Sequence, residues 1–371
     1  MIPIPLGTVA FTAKEAFVVA RKFGPDFKRQ FVVKAQVQGF ARTKGVFREN
    51  GFKSGIHMVD SIDQVQEVAD KMLGKHLVLP GSHEGGLMCN SVLVMEHLEI
   101  DKQYYLAIEH DRTSGQPVIV YSDVGGLSWS RLSQLYPERI HRIHIDYQKG
   151  IDFVNLSQVA EQLGIEERSR ASFMIKNLYE CFLQRDCLTV AINPLVLTPQ
   201  GKFVAANTLI RLDPDSLYRQ QELAASIDLS QMTVSERIAF NMDIKYGSMQ
   251  GNIGMVCNSA GLCMATNDAI INAGGLPANF SDLGGSAIHE QIHALLSLVN
   301  NDSNVKVIFI HCYGGITNIK KVFATLAMCL KTETVTKPVV IRTLGLEASG
   351  SQEMLSEWQG RHPIFLEQDF N

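Results

Sequence analysis

From about residue 253 to residue 345 the chain alternates short apolar runs with helical patterns, and that alternation leaves few folds open. GMVCNS (254–259) leads into AGLCMATNDAIINAG (260–274), followed by ANFSDLG (278–284), a helical pattern over 286–300, VKVIFIHC (305–312), ITNIKKVFATLAMCL (316–330) and KPVVIRTLG (337–345). Strands that are apolar along their length and separated by helices are buried on both faces, which predicts a parallel, doubly wound sheet.

The first half follows a different order. FVVKAQV (31–37), SVLVMEHLEI (91–100), QYYLAIEHD (103–111) and QPVIVYSD (116–123) read as strands, with RTSGQ (112–116) as a hairpin loop. SIDQVQEVADKMLG (61–74) reads as a helix with a Ser start and a Gly stop, and a longer helical region spans 157–185. The polar stretch 220–240 separates the two patterns, so the chain divides into a domain over 1–234 and one over 235–371.

LTVAINPLVL (188–197), a Thr-Pro-Gln-Gly turn and KFVAANTLIRLD (202–213) form a hairpin. With its turn centred near Gln200, residues whose numbers sum to about 400 stand opposite each other, so Asn193 faces Asn207 and Ala191 faces Leu209. Two facing amide oxygens suit a metal-phosphate; the same pair also fits a plain cross-strand hydrogen bond. In the second domain, Cys257-Asn258-Ser259-Ala260-Gly261 and Cys312-Tyr313-Gly314-Gly315-Ile316-Thr317 are strand-to-helix junctions. At the carboxyl ends of a doubly wound sheet, such junctions present free N–H groups and a positive dipole end to an anion. Glycine used only for close strand-to-helix packing is the competing reading.

His289-Glu290-Gln291-Ile292-His293 matches the zinc-protease pattern H-E-x-x-H. It lies in a crossover helix of the parallel domain without a matching third ligand, so a packed or solvated helix is the expectation and zinc hydrolysis a distant third function. No P-loop, G-x-G-x-x-G or G-x-S-x-G element occurs.

Charge narrows the partners. The 371 residues carry 34 Lys and Arg against 38 Asp and Glu, a formal net charge of -4, with no basic block to bind nucleic acid or an anionic membrane. No run is long and apolar enough to span a bilayer. The seven cysteines form no Cys-x-x-Cys pair and read as reduced, mostly buried thiols.

These segments together carry a resemblance. QGNIGMVCNSAGLCMATNDAIINAGGLPANFSDLGGSA with VKVIFIHCYGGITN, KAQVQGFARTKGVFRENGFKSGIHMV, VLVMEHLEIDKQYYLAIEHDR, and INPLVLTPQGKFVAAN with LYRQ resemble the β-subunit family of succinate–CoA ligase (succinyl-CoA synthetase), most nearly its GDP-forming eukaryotic type. The resemblance implies an α/β chain in which an ATP-grasp domain precedes a flavodoxin-like CoA-ligase domain. It implies reversible, nucleotide-dependent formation of succinyl-CoA, a step of the tricarboxylic acid cycle, through a phosphohistidine on a separate α-subunit. This chain is then half of a heterodimer, with succinate, CoA and GTP/GDP or ATP/ADP as small-molecule partners and Mg2+ as cofactor. The mitochondrial matrix is the implied location, although no presequence is visible, and both ends read as short beside the family pattern.

By the same resemblance, Lys34, Ala41, Arg42, Thr43, Leu98 and Gln103 contact nucleotide. Asn193 and Asn207 hold metal, and Asn258, Gly315, Ile316 and Thr317 hold succinate and phosphate. Four departures stand out. The family's A-G-G-R-G-K-G is Gly39-Phe40-Ala41-Arg42-Thr43-Lys44-Gly45, its nucleotide-contacting Glu is Gln103, its metal-binding Asp is Asn207, and its Glu in E-I-N-P is Ala191. An amide binds magnesium less well than a carboxylate, so weakened metal binding is expected. A catalytically impaired paralogue acting as a binding or regulatory subunit is the alternative function.

Overall fold

Short polar residues set the ends of the first helices. Thr12 accepts from the amide of Glu15, and the Glu15 carboxylate accepts from that of Phe11, which opens α1 (Ala13–Lys22). Ser61 and Gln64 pair in the same way at the start of α2 (Ile62–Met72), and Gly74, at φ +70° in the left-handed region that favours glycine, turns the chain after it. In this computed structural model, residues 2–23, 30–39, 42–80, 85–348, 352–358 and 363–367 are described. The chain divides into two units, Met1–Ile227 and Asp228–Asn371.

In the first unit, strands β1 (Gly7–Ala10), β2 (Phe31–Ala35), β4 (Ile56–Val59) and β7 (Val92–Glu96) form an antiparallel sheet in the order β1-β7-β2-β4. Helices α1 and α2 cover it, burying Ala16, Val65, Ala69 and Met72 against Phe31, Val33, Val92 and Val94. A small sheet joins β3 (Val46–Phe47), β5 (His76–Val78) and β6 (Leu87–Met88).

The larger sheet runs β10 (His141–His144), β9 (Pro117–Ser122), β8 (Lys102–His110), β11 (Cys187–Leu197) and β12 (Phe203–Ala205), with β13 (Thr208–Leu212) also on β11. The hairpin has the register that its turn predicts: Ala191 pairs with Leu209, and Leu195 with Ala205. Short α3 (Trp129–Leu135) lies near β8 and β9, while α4 (Leu156–Gln162) and α5 (Arg168–Gln184) bury Val159, Met174 and Leu178 with Leu106, Ile108 and Ile192. The single helical region expected over 157–185 is two helices. Gly164, at φ +65°, ends the first of them, because that left-handed backbone cannot continue a right-handed helix. Short α6 (Gln221–Ala225) closes the unit.

The second unit begins ahead of α7 (Val234–Asn241), whose first residue is where the boundary at 234/235 was expected. Strands β15 (Ile253–Cys257), β17 (Val307–Gly314), β18 (Val339–Gly345) and β19 (Ile364–Glu367) are all parallel, in that order. Helices α8 (Ala260–Asn272), α9 (His289–Asn301) and α10 (Ile319–Lys331) lie between the first three of these strands in sequence, with Ile292, Leu296, Val322 and Phe323 in the core.

ANFSDLG departs from the expected alternation. Its strand β16 (Asn279–Asp282) pairs antiparallel with β14 (Lys245–Ser248), not within the parallel ladder. Its inward side chains, Asn279 and Ser281, are polar, and they bond to the backbone of β15. Asn279 accepts from Met255 N at 2.8 Å and donates to Met255 O at 2.9 Å; Ser281 Oγ accepts from Cys257 N at 3.3 Å. Backbone bonds from Ala278 N to Ile253 O and from Leu283 N to Cys257 O close the two ends of this seam.

Candidate functional site

The first unit gathers residues from its two larger sheets, and from the turn at Arg42, around one pair of amides. Lys34 stands on β2 between Ile56 and Leu93 and is 9% exposed. Its ammonium donates to Ala206 O at 3.0 Å, just past the end of β12. Arg42, on the short turn Arg42–Lys44, donates through Nη1 to Ala35 O at 2.9 Å and through Nη2 to Asn207 Oδ1 at 3.5 Å. Burial, and then the Arg42 charge, bring the Lys34 ammonium down to a pKa of about 8. Burial lowers Arg42 as well.

The amides are already engaged. Asn207 Nδ2 donates to Asn193 O at 3.1 Å. The Asn193 side chain accepts from Gly126 N at 2.8 Å and donates to Leu127 O at 2.7 Å. Gly126 has φ +78°, and a Cβ there would lie 2.3 Å from Gln103 Oε1, so Gln103 of β8 packs directly under this loop. The structure thus brings Lys34, Arg42, Asn193 and Asn207 together, with Gln103 beside them.

Other expected residues stand elsewhere. Thr43 is exposed, and Ala41 lies outside the described residues. Leu98 lines a cleft of about 750 Å³ with Gln30, Glu96, His97 and Thr198. Gly39 and Gly45 serve packing, since a Cβ on either would press into Leu79 or Leu77. Ala191 is 5% exposed within a small apolar core of Tyr105, Ala107, Val118, Val120 and Leu132.

The second unit has its own cleft, of about 590 Å³, at the carboxyl ends of β15 and β17. All four expected residues line it: Asn258, Gly315, Ile316 and Thr317. Asn258 follows β15 and clamps the loop after β17. It accepts from Tyr313 N at 2.9 Å and donates to Tyr313 O at 2.9 Å and to Thr317 Oγ1 at 2.6 Å. Ser259 caps α8 without a side-chain bond, so the thirteen-residue helix opens into the cleft with its first amides and positive dipole end. Leu262, Asp282, Gly284, Gly285 and Tyr313 complete the lining. Tyr313 belongs to a junction named from the sequence; Asp282, Gly284 and Gly285 do not, although Asp-Leu-Gly-Gly after a strand carries the same junction signal as the other two.

His289 opens α9, and its Nδ1 bonds the Thr325 hydroxyl. Among the described residues no group of His, Cys, Asp or Glu clusters as metal ligands would.

A family model described as an ATP-grasp domain matches residues 1–197, and one described as CoA-ligase matches residues 256–361. The mitochondrial GDP-forming succinate–CoA ligase subunit beta of Mus musculus is 35% identical over 349 residues, covering 94% of this chain and 80% of the relative. The ADP-forming subunit beta of Bacillus subtilis (strain 168) is 32% identical over 359 residues, covering 96% and 90%. Among solved structures, ATP citrate lyase from Methanothrix soehngenii, in complex with citrate and coenzyme A, superposes with a TM-score of 0.74 at 17% identity, covering 97% of this chain and 88% of that one. That likeness is one of fold.

Proposed function

The chain belongs to the succinate–CoA ligase β-subunit family, and from that premise we propose that it is the nucleotide-binding subunit of such a ligase. The reaction is reversible: succinate, CoA and a nucleoside triphosphate give succinyl-CoA, the diphosphate and phosphate. The observation that carries this reading is the cleft of the CoA-ligase unit. Asn258 and Thr317 lie 59 residues apart in sequence, yet meet at 2.6 Å beside the opening of α8. An anion placed there meets helix-end amides and a positive dipole, which suits a carboxylate or phosphate. Asn258 shapes the loop that contacts it.

In the ATP-grasp unit, Lys34 and Arg42 supply the positive charge for nucleotide phosphates. The cleft lined by Leu98 receives the base, and the choice between adenine and guanine is made there. Family members are named as ADP-forming or GDP-forming, and both kinds are among the relatives of this chain. An α-subunit supplies the phosphohistidine, and the matrix of mitochondria is the compartment proposed, in line with the relative from Mus musculus, which is named mitochondrial. No helix among the described residues is long and apolar enough to cross a membrane.

Magnesium does not fit the two amides as they stand. Mg2+ seeks carboxylate and water oxygens. Here Asn193 spends its oxygen on Gly126 N, and the Asn207 oxygen faces the Arg42 guanidinium. No step is assigned to the metal.

A second reading, a binding subunit with low turnover, rests on Ala191. The side chains around it are apolar apart from the Tyr105 hydroxyl, so nothing in that small core offers a carboxylate to a partner's histidine. The test of both readings is reconstitution with an α-subunit and an assay of succinyl-CoA formation. Turnover within about tenfold of an ordinary ligase supports the working enzyme, and a loss of about 10²–10⁴ supports the second reading. Failure to pair with an α-subunit at all would sink the proposal.

A further inference from the structure

Among the described residues, the cations beside Ala206 and Asn207 bond carbonyl and amide oxygens and no carboxylate. Lys34 is nine-tenths buried, and its ammonium, with three donors, bonds the Ala206 carbonyl. Arg42 spends Nη1 on Ala35 O and turns Nη2 to Asn207 Oδ1. Among the described residues, no carboxylate bonds or pairs with either side chain in the ion pairs and hydrogen bonds of the unit. Two positive groups near enough for Arg42 to lower the Lys34 pKa, with no counter-ion among the described residues, are costly to bury, and an anion offsets that cost.

The donor set also argues against a dication. The two candidate ligands are neutral amides. One oxygen accepts from a backbone amide at 2.8 Å, and the other points at a guanidinium. A divalent cation at Asn207 Oδ1 would sit against the Arg42 charge, with no carboxylate to hold it there. A guanidinium, by contrast, is a permanently charged planar fork that matches phosphate oxygens.

We propose that this site takes nucleoside di- and triphosphates free of divalent metal, with Arg42 and Lys34 supplying the positive charge on the phosphates. The inference rests on the reading of the chain as a nucleotide-binding subunit and changes what that subunit recognises: the free polyphosphate, not its magnesium complex. Asn207 then acts as a positioning residue, holding the guanidinium at the hairpin and tying it to Asn193 through its own amide group.

The test is calorimetric titration of the full chain with ADP and with GDP, in EDTA and in excess magnesium chloride. Binding in EDTA that equals or exceeds binding in magnesium supports the proposal. Arg42→Gln should then weaken binding in EDTA by about tenfold or more, the loss typical of a charge-assisted hydrogen bond. Its thermal unfolding, compared with that of the unaltered chain, shows whether the fold is kept. Asn207→Asp supplies a control that does not depend on that variant: by placing a carboxylate at the site it should make binding tighten with magnesium. Tightening by magnesium of about tenfold or more in the unaltered chain overturns the proposal. Absence of nucleotide binding in both buffers also overturns it, and pairing with an α-subunit in the same preparation then shows whether the family reading survives.

Discussion

Asn193 and Asn207 hold each other twice across the hairpin: Asn193 N donates to Asn207 O at 2.9 Å, and Asn207 Nδ2 donates to Asn193 O at 3.1 Å. Both bonds lie where β12 gives way to β13, a point at which the return strand would otherwise leave its partner.

That pairing predicts unequal outcomes for two similar-sized replacements of Asn207. Asn207→Leu leaves the Asn193 carbonyl without its side-chain donor and should cost about 1–3 kcal/mol. Asn207→Asp loses the same donor but sets a carboxylate beside Arg42, so its net cost should stay within about 1 kcal/mol. Urea denaturation of both variants decides the matter; equal losses would show that Arg42 does not sense the charge.

Ala191→Glu should be expensive. The side chain would enter the core of Tyr105, Ala107, Val118, Val120 and Leu132, where a carboxylate is stripped of water. A loss of about 2–4 kcal/mol in denaturant unfolding is expected, against less than about 1.5 kcal/mol for Ala191→Val. A glutamate variant as stable as the parent would show that this core opens to solvent.

Asn258→Ala removes three hydrogen bonds and strands Tyr313 N. The expected cost is about 2–3 kcal/mol of stability, with a rise in KM for succinate in the reconstituted ligase because the loop after β17 loses its clamp. Thr317→Val keeps the two Tyr313 bonds and should be milder in stability. If the two variants were equal, the clamp on Tyr313 would not be what shapes the loop.

Lys34 predicts proton uptake on nucleotide binding. Its pKa, near 8 in the free protein, is lowered first by burial and then by Arg42, and an anion beside it favours the charged form. Binding at about pH 8–9 should therefore take up part of a proton, and uptake should vanish at about pH 6, where the group is charged throughout. In the free protein the sign is the reverse of a stabilising pair. Between the folded pKa and the ordinary 10.5 the unfolded chain holds the extra proton, so this group's contribution makes stability rise with pH across that window. Titrations in buffers of different ionisation enthalpy measure the uptake, and Lys34→Gln should abolish it.

Much of the architecture was legible because it depends on period and punctuation. The apolar runs 254–259, 305–312 and 337–345 contain most of the parallel strands Ile253–Cys257, Val307–Gly314 and Val339–Gly345, and a turn centred near Gln200 sets which residues of the hairpin face each other. The cleft residues Asn258, Gly315, Ile316 and Thr317 converge because strand carboxyl ends must lie on one side of a parallel sheet. What stayed hidden depends on contacts between distant backbone groups. No spacing rule announces that the Gly126–Leu127 loop holds Asn193, or that the Ala206 carbonyl takes the Lys34 ammonium. The length of β16 and its place in the alternation fit one more strand of the ladder. The polarity of Asn279 and Ser281, which fall on its inner face, was the clue to the contrary.

That inner face has a consequence for the chain before assembly. A strand edge with unspent amides and carbonyls recruits strands from other molecules and seeds aggregation. Along β15 the amides of Ile253, Met255 and Cys257 are taken by Leu276 O, Asn279 and Ser281, so the side of the parallel sheet away from β17 offers no ladder for a stray strand to extend. A short asparagine and a serine thus do for solubility what an additional hydrogen-bonded strand does in other sheets.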